Sequence, residues 1–120
     1  MITSYFFDTY SFIESHKANS RYEKFKGKAI ITTKMNLMEF HYTLLREVGK
    51  NLADIHLRYL QKFIVEFEIE HIKLANQLRR KYKNLSYVDC LGYIVALANQ
   101  VPFVTGDQAF KNLPNVEFIK

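Results

Sequence analysis

The chain has 120 residues, 48% of them hydrophobic and 24% charged, with 17 Lys and Arg against 12 Asp and Glu for a net charge of +5. That length suits one domain spanning residues 1–120, and no apolar run approaches the ~18 residues of a membrane span. A single cysteine, Cys90, excludes an intrachain disulfide, and Met1 to Tyr5 lacks the basic start and long apolar stretch of a secretion signal, so a cytoplasmic, membrane-free protein is expected.

Taken in order, Ile2 to Phe7 reads as a short buried strand, aromatic and β-branched. Asp8 and Thr9 follow with helix-capping chemistry, and Tyr10 to Lys17 predicts a helix with Phe12, Ile13 and His16 at helical spacing. Arg21 to Lys26 predicts a short second helix, ended at Gly27. Ala29 to Thr32 reads as the second strand, after which Thr33 or Asn36 caps a helix marked by Leu37, Phe40, Leu44 and Val48 and closed by Gly49. Leu52 to Phe63 repeats apolar residues every three or four positions, the pattern of an amphipathic helix. Phe63 to Phe67 is a candidate third strand, and Ile69 to Lys83 a helix with a basic outer face. Ser86 with Asp89 resembles a capping box opening an apolar helix to Ala98. Val101 to Thr105 is the fourth strand candidate, Gly106-Asp107 a turn, Ala109 to Leu113 a short helix, and Asn115 to Ile119 an edge strand. Strands alternating with helices predict an α/β protein, a parallel sheet covered on both faces.

On that layout Asp8 and Asp107 fall just after strands, Asp89 opens a helix and Glu39 lies within another. Ligands of an open parallel sheet bind outside the carboxyl ends of its strands. Carboxylates gathered there repel one another, and a divalent cation relieves that repulsion. Setting those acids aside leaves eight others against 17 cations, a basic surface around an acidic hole that suits a polyanion held by its phosphates and cut at a metal. Each acid also has a plainer reading: Asp8 and Asp107 as caps, Asp89 as a charge favoured by the helix dipole, Glu39 as a solvent-facing side chain. His16, His41, His56 and His71 show no zinc-protease spacing, Cys90 reads as a small core residue, and the absence of a G-x-x-x-x-G-K loop argues against a nucleotide-driven motor or kinase. Lys34, Arg46, Arg79 and Arg80 are the cations set aside for RNA, although Arg79 to Lys83 reads first as a solvated helix end.

Tyr5-Phe6-Phe7-Asp8-Thr9, Asn36-Leu37-Met38-Glu39, Tyr87-Val88-Asp89-Cys90-Leu91 and Val104-Thr105-Gly106-Asp107-Gln108-Ala109-Phe110 together resemble the PIN-domain nucleases, and most of all the small VapC-type ribonuclease toxins. The resemblance covers nearly the whole chain. It implies a three-layer α/β/α fold with a parallel sheet of four or five strands. It implies an endoribonuclease whose Asp8, Glu39, Asp89 and Asp107 hold Mg²⁺ or Mn²⁺, usually a homodimer restrained by an antitoxin. Thr105 matches the small hydroxyl residue that orients a carboxylate there. The family often has a small polar residue two positions after the first acid, where this chain has Tyr10, leaving Thr9 or Ser11 to supply that hydrogen bond. A catalytically inactive PIN-like module binding RNA or protein is the alternative that Tyr10 motivates. A receiver-like signalling domain is disfavoured: Asp8 has no adjacent acid, and no lysine closes the last strand.

Overall fold

A computed structural model describes residues 4–120, so Ile2 and Thr3 of the first expected strand lie outside the described residues. Four strands, β1 (Ser4–Phe7), β2 (Ala29–Ile31), β3 (Phe103–Thr105) and β4 (Val116–Phe118), form one parallel sheet in the order β2-β1-β3-β4. The helices are α1 (Thr9–His16), α2 (Lys34–Glu47), α3 (Lys50–Leu60), α4 (Ile69–Lys81) and α5 (Tyr87–Ala98). Short 3₁₀ turns cover Ser20–Phe25, Gln61–Phe63 and Gln108–Phe110. Sheet order reverses between β1 and β3, so the switch point falls where Asp8 and Asp107 leave those two strands.

Two aromatic neighbours in β1 build the two faces, because successive strand side chains point to opposite sides. Phe6 joins Phe103, Tyr93 and Phe110 on the α4–α5 side, with Phe103 and Phe110 rings 4.6 Å apart. Phe7 points the other way, edge-on to Phe12, Tyr22 and Phe25 beneath α1 and α2. The apolar helix α5 lies close on the sheet at Gly92, where a Cβ would stand 3.0 Å from the Phe6 ring. Its Cys90 is buried among the core residues, and no helix among the described residues is long and apolar enough to cross a membrane.

The expected strand at Phe63 to Phe67 does not form. Only Ile64 makes a bridge, to Thr32, with Thr32 N–H donating to Phe63 O at 3.0 Å and Val65 N–H to Thr32 O at 2.9 Å. The adjacent chain turns into α2 immediately, with the Thr33 hydroxyl accepting from the Asn36 amide as the cap, so no second rung is offered. The expected Leu52–Phe63 helix likewise ends at Leu60 and tightens into the Gln61–Phe63 turn.

Candidate active site

Asp8 leaves β1 and is the N-cap of α1, its Oδ1 accepting from the Ser11 amide at 2.8 Å. It is only 3% exposed. Burial, chiefly, and then the charge of Asp89 push its pKa up to about 7, against the pull of the Thr105 hydroxyl and the Ser11 amide and hydroxyl. Asp89 sits in the first turn of α5 in a reciprocal capping box: its amide donates to Ser86 Oγ at 3.0 Å, and its Oδ2 accepts from the Ser86 amide at 2.9 Å. Its own pKa is raised by burial, against its Ser86 hydrogen bonds and with the Asp107 charge adding to the rise. Asp107 follows β3, accepts from the Ala109 amide through Oδ1 at 3.0 Å, and donates its amide to Thr105 Oγ1 at 3.0 Å. Buried Thr105 therefore touches Asp107 and acts on Asp8.

Glu39 comes from α2, half-buried, and accepts from the Thr9 hydroxyl at 2.7 Å. Sequence reasoning missed what holds Thr9 there. Asn36, 1% exposed, donates from Nδ2 to Thr9 Oγ1 at 3.3 Å and accepts at Oδ1 from the Thr33 hydroxyl at 2.7 Å. One hydrogen-bonded chain thus runs from the cap of α2 through Asn36 and Thr9 to Glu39. The available signal was the i, i+3 spacing of Thr33, Asn36 and Glu39 on one helical face.

Tyr10 lies between Thr9 and Ser11 at the start of α1. Its ring packs against Gly106, while Ser11, fully buried, donates its hydroxyl to Val104 O at 2.6 Å and its amide to Asp8. Ser11 and Thr9 thus both touch the acidic edge, on either side of the tyrosine.

None of Asp8, Glu39, Asp89 and Asp107 joins an ion pair among the described residues, whereas Glu14, Asp54, Glu66 and Glu117 all do. The donors are all hard oxygens, and their charges reach one another from Asp8 to Asp89 and from Asp89 to Asp107. Among the described residues no three Asp, Glu, His or Cys side chains converge into a ready cage. Hard oxygens are the donors that an ion such as Mg²⁺ takes, through one or two carboxylates with several waters kept.

The expected RNA cations come from two helices, α2 and α4. Lys34 and Arg46 sit near opposite ends of α2, about 18 Å apart at 1.5 Å per residue. Lys34 lies 3.9 Å from Glu66, and the Arg46 guanidinium stands over the Tyr42 ring. Arg79 and Arg80 share a cleft at the end of α4. Of the histidines, His41 pairs with Asp54 at 2.8 Å and the His16 and His56 rings meet edge-on; none is near enough to the acids to join them in a metal-holding group.

Comparison with solved structures shows the same fold at low identity. A toxin–antitoxin complex from Klebsiella pneumoniae superposes with a TM-score of 0.76 at 16% identity, covering 93% of this chain and 94% of that one. VapBC2 from Rickettsia felis, bound to a DNA fragment from its promoter, gives 0.73 at 21% identity over 97% of each chain. VapC20 of Mycobacterium tuberculosis, a toxin that cleaves the sarcin–ricin loop, gives 0.70 at 15% identity, covering 94% of this chain and 98% of that one. No curated protein sequence matches the chain significantly. The PIN domain family model matches residues 5–116, nearly the whole chain, and with its parallel sheet and acidic carboxyl edge the protein belongs to the PIN domain family.

Proposed function

We propose that the protein is a metal-dependent endoribonuclease and the toxin of a toxin–antitoxin pair. The observation that carries this reading is Asp8: a buried carboxyl at the switch point of the sheet, without a cationic partner among the described residues and under the charge of Asp89. Ionising a carboxyl buried there needs compensation, and a cation bound there would provide it. When bound, a divalent ion neutralises charge at a scissile phosphate and acidifies water. Asp8 and Asp89 hold it, each fixed by a backbone amide; Thr9 aims Glu39; Thr105 holds the Asp107 amide and so sets the far side of the site. Asp8→Asn retains a capping residue and should abolish Mg²⁺- or Mn²⁺-dependent RNA cleavage with the fold intact; an unimpaired variant refutes the assignment.

An inactive RNA- or protein-binding module is the second reading, favoured by the absence of three converging ligands among the described residues. Calorimetric titration with Mn²⁺ separates the two, since no binding at millimolar metal supports the inactive module.

The antitoxin has a surface to meet. Met38, Tyr42 and Leu45 on α2 and Leu52, Ile55 and Tyr59 on α3 are all exposed, recurring every three or four residues on each helix. An apolar face of this kind suits an amphipathic partner helix or a second copy of the chain. Monomeric behaviour of the protein expressed alone, without aggregation, would count against that role.

A further inference from the structure

A cleft lies at the end of α4 and the start of α5, two residues short of Asp89, and none of the candidate site's acids lines it. It encloses about 510 Å³ and is lined by Asn76, Arg79, Arg80, Lys83 and Tyr87. Three of these residues are cationic and none is acidic. None of the three joins an ion pair among the described residues. Tyr87 is 67% exposed, an unusual place for a ring that could have been packed, and the Arg79 guanidinium stands 4.2 Å from its centroid. The Arg79 Nε is buried with no hydrogen-bond acceptor among the described residues, and its guanidinium packs on the ring. The guanidinium covers one face of the ring before any ligand arrives, which lowers the cost of using the other. Tyr87 precedes Asp89 by two residues in the first turn of α5. An ordered aromatic face with uncompensated cations around it is the pattern that grips a nucleic acid strand by stacking and by phosphate contact.

We propose that this cleft holds an unpaired stretch of RNA next to the acidic edge, a base stacking on the open face of Tyr87 and the flanking phosphates meeting Arg80 and Lys83. The choice of RNA rests on the nuclease reading above. Every base offers a π face, so the cleft selects single strands without selecting sequence, and bases locked in a duplex are withheld from the ring.

The test is fluorescence anisotropy with a labelled single-stranded RNA of about ten nucleotides, within the span such sites cover, and with the same strand annealed to its complement, both in EDTA. Tyr87→Ala should weaken single-strand binding about 5- to 150-fold, the effect of losing one stacked base, while Tyr87→Phe binds as the wild type does. Arg80→Gln combined with Lys83→Gln should reduce the slope of log affinity against log salt by about 1.4, two phosphate contacts on a single strand. The duplex should bind more weakly than the single strand in the wild type and be indifferent to Tyr87→Ala. Unchanged single-strand binding in these variants overturns the cleft, and does so even where the wild type cleaves RNA with Mn²⁺ and Asp8→Asn does not, which leaves the nuclease reading standing. Binding that falls with Tyr87→Ala in a protein that never cleaves RNA upholds the cleft and refutes the nuclease reading. Labelled polyglutamate is titrated in parallel, and variants that lose its binding while RNA binding stays untouched overturn the proposal in favour of an acidic protein partner.

Discussion

Asp8 should make the stability of the metal-free protein fall as pH rises, and a single substitution isolates the effect. Its carboxyl titrates at 3.8 when solvated and at about 7 in the fold, with burial the main cause and the Asp89 charge an addition. About three pKa units at 1.36 kcal/mol each put the cost of ionising it in place at about 4 kcal/mol. Between those two values the folded chain keeps a proton that the unfolded chain has released, so the contribution is fully present below 3.8 and gone above about 7. Asp8→Asn keeps an acceptor for the Ser11 amide, since asparagine caps as well as aspartate, but has no proton to lose. Urea unfolding in EDTA at about pH 5 and about pH 8 should show the wild type losing about 3 kcal/mol more than the variant over that interval. Mn²⁺ at the higher pH should then restore stability to the wild type and not to the variant, because a ligand that binds only the folded state stabilises it. Parallel pH profiles for the two proteins would refute the reasoning at its root, since they would mean that Asp8 is ionised and comfortable in the fold.

Thr9→Val removes the hydroxyl that Glu39 accepts at 2.7 Å and should cost about 10- to 100-fold in Mn²⁺ affinity by calorimetry; an unaltered affinity would show that Glu39 needs no aiming. Gly106→Ala drives a methyl into the Tyr10 ring and to 2.5 Å from the Ile119 carbonyl oxygen. A carbonyl of the backbone yields little, so thermal unfolding should report a loss of at least about 1–3 kcal/mol, and an unchanged melting temperature would contradict the close approach. Ile55→Glu with Tyr59→Glu alters side chains 57% and 61% exposed. Each should move monomer stability by no more than about 0.5 kcal/mol, while analytical ultracentrifugation should show loss of self-association or of antitoxin capture; unimpaired assembly would place the interface elsewhere.

The parts of the fold that could be read from sequence are those where a short-range signal and the tertiary context agree. Phe6 and Phe7 look buried and are buried, on opposite faces, and Ser86 with Asp89 looks like a capping box and is one. Phe63 to Phe67 looks like a strand by composition alone, and it fails because β2 ends at Ile31 and Thr33 turns the neighbouring chain into α2. Pairing needs a partner of matching length, which no window of the run itself can reveal. Asn36 was legible only as a possible cap. Its place as a buried hub depends on Thr9, 27 residues away in sequence, and distance of that kind is settled by how α1 and α2 pack.

The acids of the candidate site were read two ways, as helix caps or as ligands, and the capping geometry is compatible with both. Asp8 Oδ1, Asp107 Oδ1 and Asp89 Oδ2 each accept a backbone amide, and a carboxylate has about four acceptor sites, so one cap leaves capacity for a cation. At the carboxyl ends of β1 and β3 the chain must start a helical turn in any case, and an aspartate does that while presenting a negative charge at the switch point. The cap also fixes the carboxylate on a rigid element, which a metal site requires. The cap determines how the proposed site has to be dissected. Alanine at Asp8 or Asp107 removes a cap together with a charge and costs about 1 kcal/mol of stability, so lost cleavage in an alanine variant confounds folding with chemistry. Asparagine keeps the cap and removes only the charge. If Asp8→Asn and Asp107→Asn lose cleavage and Mn²⁺ binding at about pH 8 but match wild-type stability near pH 5, where the Asp8 proton is still bound in the fold, the loss belongs to the carboxylate and not to the helix it starts.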